Sequence, residues 1–153
     1  MPKIVVLFGN RRNEISSHED ELTLDDRRYV WSTSLQVLNI IKEGNINNAI
    51  FLRSTVLQVA QSAYIALAAF GLYSKGCDIL PELEEESGSS DVIKTMVNAP
   101  SDIVFAFGHN DLLQKIAQEL CPKSEGYEIG LHEALIFKSD DGPNGNWIQT
   151  VAP

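Results

Sequence analysis

His109 stands where an imidazole can do chemistry. It follows the apolar run Ile103–Phe107 through Gly108, and an amphipathic stretch, Leu112–Leu120, comes after it and stops at Pro122. That pattern reads as strand, turn and helix, with His109 just past the carboxyl end of a buried strand. Open α/β sheets bind ligands at such ends, and a histidine there can bind phosphate or move a proton. Phosphate-transfer chemistry asks for a second imidazole or a cation on the neighbouring strand end. The first apolar run, Lys3–Phe8, ends instead in Gly9-Asn10, and the basic pair Arg11-Arg12 comes only afterwards. Half of the expected constellation is therefore missing from the sequence.

Other chemistries fit less well. The stretch Gly9–Glu14 contains neither G-x-G-x-x-G nor G-K-[ST], which removes dinucleotide and P-loop readings. His18, His109 and His132 have no ligand-like spacing, and Cys77 and Cys121 form no metal motif, so no metal and no cofactor are expected. Twelve basic residues against 21 acidic ones give a formal net charge of −9. That balance argues against nucleic acid or an anionic membrane as partner. No apolar run is long enough to span a bilayer, the N-terminus lacks a cleavage pattern, and two cysteines suit reduced thiols. A cytoplasmic protein is the expectation.

These residues must be positioned by elements that the pattern also supplies. Lys3–Phe8, Ala49–Leu52, Asp78–Leu80 and Ile103–Phe107 read as strands. Thr23-x-x-Asp26 and Thr55-x-x-Gln58 are capping-box patterns, opening helices that end near Gly44 and Gly71. A third helix is expected around Val92–Asn98 and a fourth over Leu112–Leu120. Ala134–Lys138 and Trp147–Val151 flank a Gly-Pro-Asn turn and read as antiparallel strands. The alternation predicts one domain over residues 1–153. Its expected form is a three-layer αβα sandwich: a mainly parallel sheet with an antiparallel C-terminal edge hairpin.

Four patches together resemble the histidine phosphatase (phosphoglycerate-mutase-like) superfamily, in particular the small SixA-type phosphohistidine phosphatases. They are the first strand with its loop to Leu22-Thr23, and Phe51-Leu52-Arg53-Ser54 leading to Gln61-Ser62. The others are Ile79-Leu80-Pro81-Glu82-Leu83, and Val104–His109 with Ala117–Pro122. The closing Gly145-Asn146-Trp147 also fits. The resemblance implies a pocket in which one histidine attacks phosphorus. Arginines and a second histidine hold the equatorial oxygens.

Carried over position by position, the family's Arg-His-Gly falls on Phe8, Gly9 and Asn10, and its helix arginine on Gln58. His109 matches the second histidine. Glu82 is the best match for an acid that could protonate a leaving group. The resemblance thus implies a ligand pocket of Phe8, Gly9, Asn10, Arg11, Arg12, Gln58 and His109, with His109 and Glu82 as the catalytic candidates. Sliding Arg11-Arg12-Asn13 onto the motif puts an arginine at the nucleophile's place, and arginine offers no free lone pair. The expectation is a binding or regulatory module that has lost hydrolysis, with a phosphorylated protein or a small phosphate as its partner. Two alternatives stay open. One is a divergent phosphatase using His109 with Arg11 or Arg12, and the other an interaction domain using the acidic stretch Glu82–Glu86.

Overall fold

A computed structural model of the chain describes residues 2–10, 21–41, 46–84, 88–120, 128–138 and 147–152. Six strands form one sheet: β1 (Ile4–Asn10), β2 (Ile50–Arg53), β3 (Asp78–Ile79), β4 (Ile103–His109), β5 (Ala134–Lys138) and β6 (Trp147–Val151). Their order across the sheet is β3-β2-β4-β1-β5-β6. The first four pair in parallel, whereas β5 runs antiparallel to both β1 and β6. The parallel core with an antiparallel edge is as the sequence pattern predicts.

Side chains alternate across the sheet and build two cores. Ile4, Val6, Phe8, Phe51, Phe105 and Phe107 face α1 (Leu24–Ile40) and α2 (Leu57–Ala69). Val5, Leu7, Leu52, Val104 and Ala106 face α3 (Ser89–Val97) and α4 (Asn110–Leu120). β1 and β4 are buried on both faces, so their sequences are continuous apolar runs rather than alternating ones. The phenylalanines of the first core stack on one another. Ring centroids lie 5.2 Å apart for Phe8–Phe107, 4.8 Å for Phe51–Phe105 and 6.2 Å for Phe105–Phe107. Offset aromatic pairs add about 0.5–1.5 kcal/mol each beyond their buried area.

The two helix starts differ from one another. Thr23 caps α1 by a full capping box: its hydroxyl accepts from Asp26 N–H, and the Asp26 carboxylate accepts from Thr23 N–H. The second pattern does not cap. α2 begins after Val56, which makes no side-chain capping bond, and the backbone N–H of Thr55 donates to Glu84 Oε1 at 2.8 Å. Glu84 belongs to a 3-10 turn, Pro81–Glu84, and a long-range carboxylate has displaced the local cap. Both β1 and β4 run two residues further than the apolar pattern suggests, which carries them through Asn10 and His109.

Candidate site at the carboxyl ends of the strands

The extension of β1 and β4 sets the site geometry. Phe8 pairs with Phe107, Gly9 with Gly108 and Asn10 with His109 in the parallel register. Three of the candidate pocket residues therefore stand beside the strand end that carries His109. Asn10 and His109 share the sheet face of Phe8 and Phe107, on the side of α2. There Ser62 Oγ donates to Asn10 Oδ1 at 3.1 Å. Gln58 lies one turn before Ser62, in the first turn of α2 and toward the strand ends. Leu83 packs against Gly108, its Cδ2 3.6 Å from where a Cβ would stand, which brings Glu82 to the same end of the sheet. Glu82 is half-buried, and its Oε2 is buried without a hydrogen-bond partner. Arg11, Arg12 and His18 lie outside the described residues, as do Glu85, Glu86 and Cys121.

Phe8 offers nothing to an anion. Its ring is fully buried in the aromatic stack. Gly9 is more telling. A Cβ built there falls inside contact distance of Asn110 Oδ1, 2.5 Å from Ile129 Cγ2 and 3.3 Å from Asn110 Cγ. Both neighbours stand on anchored backbone. Asn110 opens α4 directly after His109. Ile129 belongs to a segment tied down by backbone bonds: its N–H donates to Gln114 Oε1 at 2.9 Å, and Gly9 N–H donates to Glu133 O at 2.9 Å. Gly130 N–H donates to Glu133 Oε2 in the same turn. Asn110 and Ile129 escape a reading of residue types alone. The available signal was Gly9 itself, because a glycine inside a strand marks a close approach by something else.

Arg53 and His132 take structural positions. The Arg53 guanidinium donates to Ser54 O at 2.9 Å and lies 5.6 Å from the Tyr64 ring centroid. Cys77 is free, and burial pushes its thiol up to about 11, with Arg53 opposing and Asp78 adding to the rise. His132 is 2% exposed, and its Nε2 donates to Asp26 Oδ1 at 2.9 Å. Its backbone is left-handed, with φ 57°, and its carbonyl accepts from Thr33 Oγ1 at 2.7 Å. Among the described residues no group of His, Cys, Asp or Glu could hold a metal ion, and no helix is long and apolar enough to cross a membrane.

Solved structures share this architecture over nearly the whole chain. An Agrobacterium tumefaciens protein assigned as a phosphohistidine phosphatase of the SixA type superposes with a TM-score of 0.72 at 14% identity, covering 99% of each chain. The fold is that of the histidine phosphatases. The protein histidine phosphatase SixA, solved with tungstate, gives a TM-score of 0.70 at 18% identity, covering 98% of this chain and 97% of its own. Phosphoglycerate mutase from Plasmodium falciparum gives 0.62 at 14% identity, with 99% and 89% covered. No family sequence model and no curated protein sequence matches the chain. At identities this low the likeness is one of fold, which the sequence motifs had indicated.

Proposed function

We propose that this chain is a non-catalytic protein of the histidine phosphatase fold that uses the cleft at the strand ends to bind rather than to hydrolyse. The observation carrying this reading is the filled space beside Gly9: the Asn110 carboxamide and Ile129 stand where a side chain from that position would project. An attacking imidazole needs both a nitrogen and a clear line to phosphorus. Neither is available at position 9. The buried Phe8 ring and the uncharged Gln58 side chain support the same reading. They stand where the resemblance calls for arginines, and each charge-assisted contact to an oxyanion contributes about 1.5–3 kcal/mol.

The test is hydrolysis of p-nitrophenyl phosphate and of a phosphohistidine-bearing protein between pH 5 and 8. No turnover above the buffer rate is expected. Robust turnover that disappears in His109→Ala would overturn the reading in favour of a divergent phosphatase.

A further inference from the structure

The outer side of α1 shows solvent an apolar stripe that the fold leaves uncovered. Leu24, Arg28, Trp31 and Leu35 recur at intervals of four, three and four, which lines them up along one side of the helix. Leu24 is 65% exposed, and Trp31 and Leu35 are each 44% exposed, although all three are large and hydrophobic. At mid-stripe, Arg27, Arg28 and Trp31 meet Ile65 of α2 around a hollow of about 350 Å³. Single exposed apolar residues are ordinary, but a row of them beside a hollow marks a contact surface.

Charge and spacing select the occupant. A net charge of −9 makes two copies of the chain repel one another at long range. The α1–α2 layer carries none of that excess: Asp25 and Asp26 of α1 are matched by Arg27 and Arg28, and α2 has no charged residue. Arg28 already pairs with Asp25 at 3.9 Å and Arg27 with Glu21 at 3.6 Å, so the arginines do not call for an acidic partner. The four-three-four spacing reads the same in both directions. An antiparallel copy of α1 therefore sets Leu24 against the second copy's Leu35, and Arg28 against its Trp31, each pair occurring twice about one two-fold axis. This is the spacing of a coiled-coil seam, where a single polar position fixes the register, and a guanidinium over an indole face is a favourable pairing. We propose that the chain forms a homodimer by antiparallel packing of α1 on α1, with Arg28 of each copy over the Trp31 ring of the other.

Sedimentation equilibrium of the full chain, from micromolar to millimolar concentration, tests this. Reversible self-association that stops at a dimer is expected. Leu35→Glu and Trp31→Ala should each raise the dissociation constant at least tenfold, and either serves if the other fails to fold. Ile79→Glu, at an exposed apolar position on the sheet edge, should leave it unchanged. Cross-linking tests the register in a Cys77→Ser, Cys121→Ser background. Leu24→Cys combined with Leu35→Cys should give a disulfide-linked dimer on oxidation, because the two positions meet across the axis. Neither single variant should, because each position stands roughly 16 Å along the helix from its own counterpart. A monomer at every concentration, a dimer indifferent to the stripe variants, or single variants that cross-link as well as the double one overturns the proposal. So does a monomer that takes up a different protein on this face.

Discussion

A methyl group built on Gly9 runs into the Asn110 carboxamide and the Ile129 side chain, and the Ile129 backbone is tethered to Gln114. Gly9→Ala is therefore expected to destabilise the chain by about 1–3 kcal/mol, the range for overpacking a well-filled site. Urea unfolding measures it, and an unchanged midpoint would show that the neighbours yield freely. Gly9→His should be worse, and even combined with Phe8→Arg and Gln58→Arg it should restore no turnover. Putting a guanidinium into the Phe8–Phe107 stack also leaves a charge buried without a partner. Fitting an imidazole at position 9 would first require trimming Asn110 and Ile129. The glycine at position 9, where the resemblance calls for a histidine, is legible in the sequence without coordinates. The sequence could not reveal the occupants of the space, because Ile129 lies 120 positions away along the chain.

Among the elements, α1 is held to the turn before β5 by two contacts with His132, one from Thr33 and one from Asp26. Asp26 closes the capping box with Thr23 and also accepts from His132 Nε2. Burial alone would raise the Asp26 pKa. The bonds from His132 and Thr23 outweigh burial and hold it below its ordinary 3.8. A depressed carboxylate stabilises the folded state above its unfolded value, and that contribution drains away as acid protonates it. Asp26→Asn should thus cost about 1–3 kcal/mol near neutral pH, as expected for losing charge-assisted bonds. The gap to the parent protein should shrink once the pH falls below about 4. Unfolding curves collected from pH 3 to 7 decide the matter, and a gap that widens in acid would contradict the assignment. The capping box was legible because its four residues are local. The contact with His132 joins residues 106 positions apart and left no trace in the pattern. The Thr55 pattern misled for the same reason, since Glu84 competes for that backbone from 29 residues away.

Across the whole molecule the sheet order places β4 and β1 at the centre, covered by α1 and α2 on one face and by α3 and α4 on the other. Amides of these two strands should exchange with solvent most slowly, at rates approaching those of global unfolding, and those of β3 fastest among the strands. Native-state hydrogen exchange tests this, and stronger protection at β3 than at β4 would refute the order. Apolar runs and breakers made the layers legible, and the mainly parallel direction of the sheet followed from the alternation of strands and helices. The two-residue extension of both strands did not, because Gly9, Asn10, Gly108 and His109 lack strand character and are held there by each other's backbone.

The shortness of β3 has a consequence of its own. It contributes only Asp78 and Ile79 to the sheet margin, and Pro81 follows almost at once. Ile79 is 53% exposed there, yet so brief a ladder offers an incoming chain little template to zip along, and proline withholds the next donor. That side of the molecule is blunted against edge-to-edge aggregation, and lengthening the strand by replacing the proline would be the way to sharpen it.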